Sequence, residues 1–163
     1  MVAAGLTGVY AETIPNFEVL SLVVFFSGVL LGARDGVLVG VLTMLVYSLL
    51  NPYGPVHPLV TLAQVAGEAL VGLAGGGFAA AAWPARSLAF RAATLAVAGA
   101  LVTAVYDLLT NLASGVLLGR IGITLIGGVP FALWHIATNA VLFAVVGAPL
   151  AGVFWHYRQR LSS

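Results

Sequence analysis

Five of the six arginines in this chain, Arg34, Arg86, Arg91, Arg158 and Arg160, fall in alternate breaks between long apolar stretches, while Arg120 alone falls in the opposite set. Chains that thread a bilayer repeatedly concentrate Arg and Lys in the loops of the cytoplasmic side. The breaks therefore predict an all-α, polytopic membrane protein, a bundle of about six transmembrane helices with both termini cytoplasmic. The localisation that follows is the cell (inner or cytoplasmic) membrane. Composition points the same way, because 61% of the 163 residues are hydrophobic and only 7% charged, where soluble domains carry about a quarter. About six helices of ~20 residues use most of the length, so a single domain over residues 1–163 is expected.

Several function classes drop out. The net charge is +1 and there is no lysine, which leaves no cationic surface for nucleic acid. With no cysteine, disulfides, thiolate chemistry and cysteine metal sites are absent. No HExxH, GxSxG or comparable signature is present, so neither an enzyme nor a metal or cofactor site is expected. No basic region precedes the first apolar stretch, and no cleavable signal peptide is expected.

Along the chain, residues 1–13 are apolar but span only about 20 Å as a helix, short of a ~30 Å core, as a trimmed first helix would be. Ile14-Pro15-Asn16 breaks it, and a second helix is predicted from about Phe17 to Gly32. Arg34-Asp35-Gly36 reads as a tight turn and residues 36–50 as a third helix. Asn51 to Pro58 holds three prolines and a glycine in eight residues and reads as an external loop. Pro58 suits a helix start, and a fourth helix is predicted over about 59–82. Trp83 and Trp155 read as interfacial anchors. With Ser87 as N-cap, a fifth helix runs from Leu88 to about Leu118. Gly119 to Val129 reads as a glycine-rich external connection, and Pro130 as the start of a sixth helix reaching about Trp155, kinked near Gly147-Pro149. Gly72, Gly75, Gly76 and Gly77 suit close helix contacts.

Three of these helices carry polar stripes. Thr103, Asp107, Thr110, Asn111 and Ser114 recur at spacings of three and four, which places them on one face of the fifth helix. Thr61, Gln64 and Glu68 do the same on the fourth, and His135, Thr138 and Asn139 on the sixth. All three sets fall within about three turns of the predicted external ends. Ionisable groups at membrane depth cost at least ~2.5 kcal/mol each, so Glu68 and Asp107 need a partner, a water-filled cavity or a proton. One explanation is interhelical hydrogen bonding that holds the bundle together. The other is a solute pocket in its outer half, formed by Gln64, Glu68, Tyr106, Asp107, Asn111, His135 and Asn139 with Asn51 and Tyr53 from the loop. Asn51, Tyr53 and His57 read either as turn residues or as a lid, and Arg120 as a loop charge or a lid contact. Tyr106 and Trp134 beside these polar groups suit an aromatic or heterocyclic ligand. A neutral or cationic ligand fits better than an anion.

Pro15-Asn16-Phe17, the apolar run ending Leu30-Leu31-Gly32, Gly36 and Gly40, Asn51-Pro52-Tyr53-Gly54, and Leu62-Ala63-Gln64 with Gly67, Gly72 and Gly75-Gly76 form an ordered set over about residues 14–145. It resembles the substrate-binding S-components of energy-coupling-factor (ECF) vitamin transporters. The resemblance implies a six-helix bundle that binds a vitamin or related micronutrient near its external face and has no ATPase activity of its own. Docking onto a transmembrane T-component and two ATPase subunits, and toppling to release the ligand inward, are implied as well. In that family small residues on the first helix contact the T-component; Ala4 and Gly8, or Thr7 and Ala11, stand where that pattern would be. The pattern of helices two to four is closest to members for cobalamin or its precursors. Two other readings stand beside it: a structural membrane protein of the cell-shape class, and a stand-alone proton-coupled carrier using Glu68 or Asp107.

Overall fold

A computed structural model describes residues 1–10, 19–51, 54 and 56–161. The described residues form helices with no strand among them: α1 (Val2–Tyr10), α2 (Leu20–Leu31), α3 (Ala33–Leu49), α4 (Pro58–Ala80), a 3₁₀ turn (Trp83–Ala85), α5 (Leu88–Leu117), α6 (Ile121–Leu142), a π-helical turn (Phe143–Gly147) and α7 (Ala148–Leu161). The protein is an all-α membrane helical bundle. Pro58–Ala80, Leu88–Leu117 and Ile121–Tyr157 are each long and apolar enough to cross a membrane, and Leu20–Leu31 is a shorter apolar helix. The predicted break at Ile14-Pro15-Asn16 and the start of the second helix at Phe17 lie outside the described residues.

Exposed apolar faces mark where lipid meets the bundle. Leu38, Leu42, Leu45 and Leu49 recur at helical spacing on α3 and are exposed, as are Val97, Leu101, Val105, Leu108, Leu112 and Val116 on α5. In water such stripes would be a liability; in hydrocarbon they are the solvent-compatible surface. The stripe on α5 lies opposite its polar residues, so one helix sorts lipid from interior.

The core centres on Phe25, fully buried, whose ring meets Phe26, Phe78 and Phe143 edge-on at 5.8, 5.7 and 5.2 Å. Edge-to-face pairs at such separations match the ring quadrupoles and pin the helices in rotation. Around them α2, α3 and α4 approach with almost nothing between their backbones. Close backbone approach through small residues is the usual substitute for the hydrophobic drive that a bilayer does not supply.

Three expected boundaries are corrected. First, Gly32, not Arg34-Asp35-Gly36, makes the turn between α2 and α3. It has φ 98° and ψ 167°, a region open essentially to glycine, and Asp35 instead sits in the first turn of α3, where a carboxylate complements the helix dipole. Gly32→Ala is expected to cost about 1–3 kcal/mol of stability, seen as a lowered melting temperature in detergent.

Second, Gly119 to Val129 is not a loop, because α6 begins at Ile121 and contains Pro130. The connection shrinks to Leu118–Arg120, closed by a Schellman motif: Arg120 N–H donates to the Gly115 carbonyl at 2.9 Å and Gly119 N–H to Val116 at 3.1 Å, with Gly119 at φ 64°. Glycine breaks helices most readily where water competes for the backbone. Between Ile121, Ile123, Leu125 and Ile126 the backbone instead satisfies itself internally.

Third, the sixth helix does not end near Trp155: a π-helical turn over Phe143–Gly147, at the place of the expected kink near Gly147-Pro149, joins α6 to α7, which continues to Leu161. Pro149 has no N–H to give to the turn before it, and a wide turn at that point absorbs the mismatch without ending the helix.

Other expectations match. Pro58 opens α4, and Ser87 caps α5 by accepting from Phe90 N–H at 3.3 Å. His57 also has a local role, its Nδ1 accepting from Leu59 N–H at 3.2 Å. Because the helices alternate in direction, the α2–α3 turn, the α4–α5 link and the end of α7 share one end of the bundle, with Arg34, Arg86, Arg91 and Arg160. The α3–α4 link and the α5–α6 hairpin share the other, with Arg120.

Candidate functional site

The polar stripes of α4, α5 and α6 meet, and they do so in two layers. The outer layer surrounds a cavity of about 390 Å³ lined by Gln64 of α4, Tyr106, Asp107, Thr110 and Asn111 of α5, and Gly128, Phe131, Ala132 and His135 of α6. Its centre is a hydrogen bond between His135 Nδ1 and Asp107 Oδ1 at 3.0 Å, with the two side chains 9% and 14% exposed. With Asp107 ionised, Nδ1 carries the proton, since a carboxylate only accepts. The second carboxylate oxygen, Oδ2, is buried and has no partner among the described residues. A buried acceptor left without a partner costs free energy.

The other walls are also set by local sequence. Gly67 is where the Tyr106 ring packs: a Cβ there would come within 2.5 Å of its Cδ2. That lets Tyr106 stand edge-on to the His135 ring at 6.3 Å and 88°. Gly128 does the same for Asn111, whose amide lies where a Cβ would meet Oδ1 at 2.7 Å. Asn111 Nδ2 donates to the Asp107 carbonyl at 2.9 Å. Gln64 accepts from Ser48 Oγ at 3.3 Å, and its NH₂ is uncommitted among the described residues. Thr110, Ser114 and Thr138 return their hydroxyl protons to carbonyls of their own helices, which satisfies them locally. Only part of each polar stripe is therefore free to face a ligand.

One turn deeper lies a second, more buried layer: Ser21 Oγ donates to Glu68 Oε1 at 2.9 Å and Asn139 Nδ2 donates to Thr103 Oγ1 at 2.9 Å, while Asn139 Oδ1 has no partner among the described residues. Glu68, Thr103 and Asn139 are 2%, 2% and 1% exposed. Of the residues expected at a pocket, Gln64, Tyr106, Asp107, Asn111 and His135 line the cavity, whereas Glu68 and Asn139 form the layer beneath it. Asn51 sits half-buried in the α3–α4 link and is not among the described lining residues. Tyr53 lies outside the described residues. Trp134 is exposed beside His135. Gly67, Gly128, Phe131 and Ala132 carry no polar signal and were not legible as site residues.

Thr103→Val is expected to remove the acceptor of the Asn139 amide in a dry layer, at a cost of about 1–3 kcal/mol. Chemical or thermal unfolding in detergent would register it, and an unchanged midpoint would mean the Asn139–Thr103 bond contributes nothing to stability.

On α1, Gly5 is buried against Thr43 and Leu20, while Ala3, Ala4 and Thr7 are exposed. The surroundings of Gly8 and the whole of Ala11 lie outside the described residues. No protein-family model, curated protein or solved structure matches the chain.

Proposed function

We propose that the protein is a membrane-embedded solute-binding subunit of the energy-coupling-factor type, capturing a vitamin-like micronutrient in the Asp107–His135 cavity. The observation that carries this reading is the cavity itself: paired ionisable side chains, a carboxylate oxygen without a partner among the described residues, amides and aromatic rings, all at the arginine-poor end of a membrane bundle. By the distribution of arginine that end faces outward and both termini face the cytoplasm, which suits capture from outside the cell membrane.

The chemistry narrows the ligand. Asp107 favours a neutral or cationic group, with Tyr106 and Phe131 providing faces for a ring. A volume of about 390 Å³ lies near the small end of ligand sites, roughly 300–1,000 Å³. A compact heterocycle fits inside, whereas a corrinoid would have to project from the mouth. As in energy-coupling-factor systems, energy for inward release would come from ATPase partners. The exposed small residues Ala3, Ala4 and Thr7 on α1, which α2 and α3 leave uncovered, suit close docking of a helix from a T-component.

Isolating the tagged protein gently from its native membranes and identifying what comes with it tests this reading. A polytopic T-component with two ATPase subunits is expected. Co-isolation with cell-wall machinery instead would replace it with the structural reading. So would a bare chain that takes up solute in proteoliposomes under a pH gradient, in favour of a carrier.

A further inference from the structure

At the arginine-rich end, far from the cavity above, α5 and α7 part around an open cleft of about 500 Å³ lined by Arg91, Gly152, Val153, His156, Tyr157 and Arg160. Arg91 is fixed there from two sides. Its Nη1 donates to the Pro84 carbonyl at 3.0 Å, and its guanidinium lies so close over Gly152 that a Cβ would come within 2.6 Å of Nη1. Its Nε is buried without a partner among the described residues. His156 gives its Nδ1–H to the Gly152 carbonyl at 2.7 Å, which holds the imidazole beside the same opening. No carboxylate is among the described lining residues.

We propose that this cleft binds the phosphate of an anionic phospholipid. A guanidinium held in place with donors to spare matches a group that presents several acceptor oxygens, and phosphate accepts its fork geometry in pairs. Arg160 adds a second positive charge at the rim. Basic pockets between membrane helices on the cytoplasmic side are suited to such head groups. A lipid is favoured over a free phosphate compound because Val153 and Tyr157, 62% and 56% exposed, continue the cleft as an apolar wall. An acyl chain can lie along that wall while its phosphate sits at Arg91.

The test uses delipidated, full-length protein on beads in neutral detergent, offered dioleoyl phosphatidylglycerol or dioleoyl phosphatidylcholine, with bound lipid quantified by mass spectrometry. The wild type is expected to retain the anionic lipid preferentially. Arg160→Gln, at an exposed position, should weaken retention about fivefold, and Arg91→Gln with Arg160→Gln on the order of 30-fold. Gly152→Ala keeps every charge but displaces Arg91, and it should weaken retention too. Equal retention of the two lipids, or variants that retain the anionic lipid as the wild type does, would overturn the proposal. Millimolar inorganic phosphate that displaces the lipid completely and protects the protein from unfolding by itself would assign the cleft to a soluble phosphate and overturn the lipid reading.

Discussion

Gly72→Ala is expected to lower the stability of the bundle by about 3 kcal/mol or more, and Gly72→Val to leave little folded protein. A Cβ at position 72 would fall against the Gly36 carbonyl and 2.8 Å from the backbone nitrogen of Val37. Neither neighbour is a side chain that can rotate away. The reciprocal contact is also too close, since a Cβ at Gly36 would meet the Gly72 carbonyl oxygen at 2.7 Å, and between α2 and α4 one at Gly28 would meet Gly76 N at 2.7 Å. Relief therefore requires α3 and α4 to separate, which would also open the Phe25 cluster and the buried Glu68 layer. Set against a total stability of ~5–15 kcal/mol, the loss is large. Gly77 provides the internal comparison, because nothing lies within 4 Å of a Cβ there. Gly77→Ala should be neutral or gain up to ~1 kcal/mol of helix propensity. Melting curves in one detergent decide the matter, with a drop on the order of 10 °C for Gly72→Ala and none for Gly77→Ala. Equal behaviour of the two variants would mean that α3 and α4 do not touch through their backbones.

Asp107→Asn is expected to reduce solute affinity by about 10- to 100-fold while leaving the melting temperature of the empty protein nearly unchanged. The substitution keeps the shape of the side chain and its contact with His135 but removes the charge and one acceptor at the cavity. A hydrogen bond to a charged group is worth about 1.5–3 kcal/mol, which converts to that range of affinity. Thermal stabilisation by each member of a panel of heterocyclic vitamins, measured on wild type and variant, reads both quantities. Asn139→Ala should show the opposite pattern, with stability lost through the Thr103 pair and a smaller effect on the affinity of whatever protein remains folded. A variant at Asp107 that loses stability and keeps affinity would turn the outer layer into packing and remove the reason for a solute site.

Much of this arrangement was legible before any coordinates, and the reasons are physical. Spacings of three and four on otherwise apolar helices forced Asp107 and Asn111, Gln64 and Glu68, and His135 and Asn139 onto single faces. Burying polar faces in a bilayer forces them toward one another. Periodicity gives direction around a helix but not depth, so Glu68 and Asn139 could not be separated from Gln64 and His135 until the one-turn offset between the layers was seen. Gly67 and Gly128 shape the cavity by omission, leaving room for Tyr106 and Asn111, and an omission has no motif. The start of α6 is hidden in the sequence for a related reason. Gly122, Gly127 and Gly128 look like loop signals by rules learned in water, yet an apolar environment gives the backbone no alternative partner and the helix persists. The α2–α3 turn lies a few residues earlier than Arg34-Asp35-Gly36 because Gly32 takes the required φ, Arg34 and Asp35 are at home in the first turn of a helix, and Gly36 is needed for the close contact with Gly28 and Gly72.

A small solute is expected to occupy the cavity around Asp107 and His135. A native mass spectrum of the protein released from its own membranes tests it most directly, recorded for the wild type and for Asp107→Asn side by side. The wild type should carry a vitamin-sized adduct that is lost or strongly reduced in Asp107→Asn. A wild-type chain with no adduct, or an adduct equally abundant on both, would contradict it.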